Sequence, residues 1–113
     1  MKIVRVKITR AELKTMAEGQ FGELVKAVVD VGRNIMAIGG ELHSDGEALL
    51  LEDGSRQEAL WGINIYPNKT GDDRIEFDSM VNLRPSFGNR TRSVDDPMMR
   101  EKIKQVVNSL VER

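Results

Sequence analysis

The chain predicts an α+β domain, a mostly antiparallel sheet covered by helices in the order β-α-β-β-α-β-β-α. Three observations lead there. Apolar residues alternate with polar ones at residues 2–8, 61–66 and 75–83, the period of strands with one face on a core. Hydroxyl residues stand three positions before an acid at Thr9/Glu12, Ser44/Glu47 and Ser55/Glu58, the pattern of a helix capping box. A long amphipathic stripe closes the chain after Asp96.

A length of 113 residues suits one domain, residues 1–113, with a single hydrophobic core. Apolar content of 40%, charged content of 31% and a net charge of -1 are ordinary for a globular protein. They supply no whole-molecule field for nucleic acid or membrane, so any attraction must be local. Without cysteine the chain has no disulfide, thiolate metal site or cysteine nucleophile, which suits a reducing compartment; the cytoplasm is the expectation. The opening MKIVRVKITR interleaves four basic residues with its apolar ones, unlike a signal peptide, and no uncharged run approaches membrane-spanning length.

In chain order, residues 2–8 form strand one, with Val4, Val6 and Ile8 turned inward. Thr9 and Glu12 then open a short helix that stops near Gly19. Residues 22–40 are dense in β-branched residues and carry Gly32-Arg33-Asn34 at their centre, which favours a hairpin because glycine and asparagine supply positive φ. A single buried helix is the alternative. Ser44 and Glu47 cap helix two, which ends near Gly54, and strand four begins near Trp61. Residues 67–73 are a polar hairpin loop, and strand five points Ile75, Phe77, Ser79, Val81 and Leu83 inward. If Tyr66 faces Arg74, Asn64 faces Glu76, and Asn82 and Arg84 overhang the start of strand four. Asp96, with Pro97 at the first helical position, starts the last helix, whose stripe is Met99, Ile103, Val106, Val107, Leu110 and Val111. Three helices on one face of the sheet complete the expected architecture.

The stretch from residue 79 to 94 carries Arg84, Arg90 and Arg92 and no acid, a local charge of +3. Guanidinium forks bind oxyanions in pairs of hydrogen bonds, and helix-opening amides lie nearby, so these arginines with Asn82 and Asn89 are the expected anion-binding residues. The expectation is that Arg84 and Arg90 are solvent-accessible and flank a shallow pocket. The competing expectation is that Asp95 and Asp96 pair with the arginines and only fasten the turn. Tyr66 is the candidate for stacking, although one tyrosine is too little for a nucleic-acid platform. The favoured function is therefore a non-catalytic binding or interaction module for an anionic ligand, RNA or protein partner, with no cofactor.

The alternative is a small hydrolase using His43 with Asp45 or Glu47. In an extended segment Glu41, His43 and Asp45 share one side and converge on a divalent cation. Residues 41–58 hold six acids against Arg56, a net of -5 with His43 neutral. That acidic stretch can face the arginines within one fold or across a homodimer contact.

The run GSRQEALWGINIYP, then SMVNLRPSFGNRTRSVDDP, with GGELHSD upstream, resembles a prokaryotic family of short single-domain proteins classed as a domain of unknown function. Trp61, Asn64, Tyr66 and Pro67 match its WG-N-YP block, and Asn82, Arg84, Pro85, Gly88, Asn89 and Arg90 match its N-RP-GNR block. The resemblance covers nearly the whole chain and implies a soluble prokaryotic protein, with no activity attached.

Overall fold

In the computed structural model, which describes residues 1–112, the α+β class is as expected and the ends of the sheet are built differently. The strands are β1 (Lys2–Val4), β2 (Ile8–Thr9), β3 (Val25–Asp30), β4 (Ile35–Ile38), β5 (Leu60–Ile65), β6 (Ile75–Glu76) and β7 (Val111–Glu112). The helices are α1 (Arg10–Glu18), α2 (His43–Glu52) and α3 (Pro97–Leu110). Five strands make one antiparallel sheet in the order β1-β4-β3-β5-β6, while β2 and β7 pair in parallel apart from it.

The hairpin expected within residues 22–40 is β3 and β4. Its turn is fastened by Asp30, whose Oδ1 accepts from the amides of Gly32 at 2.9 Å and Arg33 at 3.0 Å, and Asn34 takes the positive φ of 55°. Every residue of β4 is buried. Strands covered on both faces lose the alternating pattern, which is why this stretch also reads as a buried helix.

Helices lie on both faces of the sheet, not on one as expected. α1 and α3 pack on the face carrying Val25, Ala27, Val29, Met36, Ile38 and Ile63, whereas α2 packs through Leu50 on the face carrying Val28, Ile35, Ala37 and Leu60. Gly46 permits the close approach of α2, since a Cβ there would lie 3.0 Å from a methyl of Val28. The expected strand over residues 2–8 is likewise divided. Val4 and Ile8 are buried but Val6 is 78% exposed, because residues 5–7 cross from the main sheet to the β2–β7 pair without a strand partner.

Three helix starts follow local chemistry. Thr9 Oγ1 accepts from the Glu12 amide at 3.1 Å, and Asp96 accepts from the Met98 amide at 2.9 Å ahead of Pro97. α2 differs from expectation. It begins at His43, with the Asp45 carboxylate accepting from the Leu42 amide at 3.1 Å, so the cap comes from Asp45 and not from Ser44 and Glu47. Ser55 precedes, and Glu58 lies within, only the 3₁₀ turn Gln57–Ala59.

Strand five is the largest departure. Its register is as expected, with Asn64 opposite Glu76 and the Tyr66 amide on the Arg74 carbonyl at 2.7 Å, but β6 stops at Glu76. The chain then folds into 3₁₀ turns at Met80–Asn82 and Pro85–Phe87. Among the described residues, no helix is long and apolar enough to cross a membrane. Placing α2 on a second buried face has a measurable consequence: Leu50→Ala, at a fully buried position, is expected to lose about 2–5 kcal/mol in urea unfolding. A loss under about 0.5 kcal/mol, as on a solvated helix, would contradict that packing.

Candidate functional site

The loop after β6 is held by its own asparagines and Arg84. Asn82 is fully buried; its Oδ1 accepts from the Gly62 amide at 2.8 Å, and its Nδ2 donates to the carbonyls of Gly62 at 2.9 Å and Arg92 at 3.0 Å. Asn89 donates to the carbonyls of Asn82, Thr91 and Ser93 and accepts from the Asp95 amide. Both amides are used up by main chain, leaving neither for an anion.

Arg84, expected to be accessible, is 8% exposed. Its guanidinium donates to the carbonyls of Gln57 and Leu60 and stacks 4.5 Å from the Trp61 ring and 5.8 Å from Phe87. Charge counting along the sequence could not reveal that carbonyls of a turn would take the fork. Arg90 and Arg92 are exposed, and Arg92 pairs with Asp78 at 2.9 Å. The aspartates do not clasp the arginine side chains. Asp95 instead accepts from the Thr91 hydroxyl and the Arg90 amide, contacts that hold its carboxyl below the usual range, while Asp96 caps α3. Gln57, Leu60 and Trp61 thus take Arg84 into the fold and away from its two companions.

Tyr66 is also engaged: its hydroxyl donates to Glu76 at 3.1 Å and Lys69 Nζ lies 4.4 Å over its ring. Burial, then the Glu76 hydrogen bond, raise its pKa. A hollow of about 410 Å³ beside it is lined by Arg10, Lys69, Asp72 and Arg74. Its arginines serve the fold, with Arg10 on the carbonyls of Pro67 and Lys69, and Arg74 on Asn108.

A different cleft, of about 400 Å³, opens between the start of α2 and residues 78–81. Its polar lining includes Lys26, His43, Asn64, Asp78 and Arg92, and Phe21, Leu42 and Met80 bring apolar surface that is 44%, 58% and 62% exposed. Lys26, Asn64 and Glu76 are direct partners across β3, β5 and β6, so they form a row on the α2 face of the sheet. Asn64 Nδ2 donates to Glu76 at 2.8 Å, which fixes the amide orientation and turns Oδ1 away from the acid. That Oδ1 is buried and accepts no hydrogen bond.

His43 explains why. Its Nε2 donates to the Ile63 carbonyl at 2.8 Å, and desolvation holds its pKa below 6.5 despite that bond, with Lys26 adding to the lowering. A neutral imidazole has one N–H, and here the main chain takes it. Asn64 is close enough to favour the charged ring, but the neutral ring has no second N–H to offer it. Helix α2 also separates the expected cation ligands. Residues two apart on a helix point to nearly opposite sides, Asp45 is bound to the Leu42 amide, and no acidic or histidine cluster able to hold a metal occurs among the described residues. Asp45 is unavailable to His43 for the same reason. Of the lining, only His43 and Arg92 belonged to the sequence-derived candidates; Lys26, Asn64, Phe21, Leu42 and Met80 did not. The Asn64 to Glu76 register gave no signal for them, since it sets Asp78 opposite Gly62 and Met80 opposite Leu60 and does not show that pairing stops at Glu76.

Two expectations follow. Asn82→Ala and Arg84→Gln leave buried main-chain groups unpaired and are expected to cost at least about 2 kcal/mol each in urea unfolding, against under about 0.5 for Arg90→Gln. Equal small losses at all three would contradict the fastening role. For His43 the folded pKa is depressed, so the unfolded chain binds the proton first and stability falls as pH drops below 6.5 through the folded value. Melting temperature followed from pH 7.5 to 4.5 is expected to decline less steeply in His43→Gln.

No curated protein and no solved structure matches the chain. Residues 2–110 match a family described as protein of unknown function (DUF5674), so the match takes in the sheet, all three helices, the Asn82–Asn89 loop and the cleft. The chain belongs to that family.

Proposed function

We propose that the protein is a non-catalytic binding module whose ligand occupies the cleft between α2 and residues 78–81, with anion recognition by Lys26 and Arg92 rather than by an arginine trio. The observation that carries this reading is the lining of the cleft, where Lys26, with no ion pair among the described residues, stands among Phe21, Leu42 and Met80, apolar side chains left exposed. Exposed apolar side chains beside cations are the mixture that small-ligand sites use: apolar surface for affinity, a few polar groups for orientation. The binding class is favoured over hydrolysis because Asp45 is bound within its cap and the neutral ring's single N–H goes to a carbonyl. A cysteine-free chain suits the reducing cytoplasm, which we propose as its compartment.

A fragment screen by NMR on isotope-labelled protein tests the reading. Perturbations are expected to gather at the amides of Lys26, His43, Asn64 and Met80, and to vanish in Met80→Glu, which puts a charge on the exposed apolar wall without entering the core. Hits confined to the Arg10 and Lys69 hollow, or no hits in the parent protein, would overturn it.

A further inference from the structure

His43, the one histidine of the sequence, stands in the wall of the cleft at the first turn of α2. Only the charged form of a histidine carries two ring N–H groups, and two acceptors lie beside this ring: the Ile63 carbonyl at 2.8 Å and the Asn64 side chain, which favours the charge. The neutral ring satisfies the first and leaves Asn64 Oδ1 unpaired. Because that oxygen is closed to solvent, its donor must come from within the fold. What opposes the charge is loss of water first and then the Lys26 ammonium on β3. The nearby carboxylates are engaged elsewhere. Asp78 favours the charged ring but pairs with Arg92 at 2.9 Å, and Glu76 is held by Asn64 Nδ2 and the Tyr66 hydroxyl. On α2 itself, Asp45 takes the Leu42 amide, and Glu47 acts on Arg84.

An anion beside Lys26 reverses that balance. It offsets the repulsion that the ammonium exerts on the ring and adds an attraction of its own, while the acceptors for the charged ring are already in position. We infer that the cleft takes up its anion together with a proton from solvent, carried on the His43 ring, so that acid strengthens binding. By linkage, the anion must raise the pH at which the ring is half charged by the same free energy. Above that pH the cleft offers the anion Lys26 and Arg92 alone. Below it, three cations line the space, and the apolar walls at Phe21, Leu42 and Met80 keep water from screening them fully. The inference rests on the cleft being the ligand site proposed above.

The test uses 1-hexanesulfonate, whose negative charge stays fixed from about pH 5.0 to pH 7.5 and whose alkyl chain suits the apolar walls. The ring signals of the untagged full chain, all from His43, are followed by NMR against pH with and without the sulfonate. The sulfonate is expected to perturb the cleft amides and to move the ring's titration midpoint upward by at least about half a pH unit. It is also expected to bind at least about twofold more tightly at about pH 5.0 than at pH 7.5, by the same linkage. His43→Gln is expected to bind it equally at the two pH values. With 1-hexanol, which has the chain but no charge, the midpoint is expected not to rise. A midpoint that stays in place while the sulfonate fills the cleft would overturn the inference and leave the site standing, as would the same pH dependence in His43→Gln or an equal rise with 1-hexanol. Should His43→Gln lose the native spectrum, the midpoint in the parent protein decides. If fragments perturb the cleft while the sulfonate does not, the inference fails and the site stands; if nothing binds there, both fail.

Discussion

The side-chain amide of Asn82 completes the sheet at Gly62, and much of the molecule's shape depends on that exchange. β5 pairs along its whole length with β3 but only at Asn64 and Ile65 with β6. Its remaining edge would be left with free amides and carbonyls, a costly state for buried main chain. Asn82 accepts from and donates to Gly62, as a neighbouring strand would, and Arg84 donates to Leu60 two residues earlier. The substitution is possible because Gly62 has no side chain. A Cβ there would stand 2.5 Å from Ser79 Oγ and 2.8 Å from a Val81 methyl. The sheet therefore ends early, and the chain that would have been a strand becomes one wall of the cleft.

The opposite wall follows from the same economy of space. Gly46 lets α2 settle close over β3, so His43 at its start reaches the Ile63 carbonyl. Between the two walls the sheet presents Lys26, Asn64 and Glu76 in a row. A neutral amide between a cation and an anion orients itself by charge. Its N–H groups turn to Glu76 and its oxygen away, and Tyr66 holds the acid from the other side. The floor of the cleft is thereby polarised by the fold itself.

What the sequence made legible was local or followed from register. The caps at Thr9 and Asp96, the turn around Asn34 and the pairing of Asn64 with Glu76 each depend on residues within a few positions or on counting in twos across a hairpin. The assignment of helices to two faces was not legible, because β3 is buried almost throughout and a strand without alternation does not say which side each helix covers. The fate of the arginines was hidden for a different reason. Asn82 lies 20 residues from Gly62 and Arg84 lies 24 from Leu60, and a side chain that replaces a strand leaves no periodicity to read. The two blocks behind the family resemblance, WG-N-YP and N-RP-GNR, meet at Trp61 and Gly62, whereas Asn64 and Tyr66 turn to Glu76. Trp61 and Gly62 receive Arg84 and Asn82, and Asn89 ties the second block to itself.

The unpaired buried atoms belong to the fastening of the fold. Four such atoms occur among the described residues: Asp30 Oδ2, Trp61 Nε1, Asn64 Oδ1 and Arg84 Nε. Asp30 Oδ2 belongs to a carboxylate whose other oxygen already binds the hairpin turn. Trp61 Nε1 and Arg84 Nε belong to a stacked pair, where attraction between the cation and the indole face offsets part of the loss and the guanidinium's other nitrogens are bonded. Asn64 Oδ1 belongs to an amide whose nitrogen is bonded to Glu76 and which lies close enough to the His43 ring to favour its charged form. It alone belongs to a residue lining the cleft. All four deficits are closed to solvent and internal to the fold, so what the cleft leaves open is its exposed apolar rim and the Lys26 ammonium rather than Asn64 Oδ1.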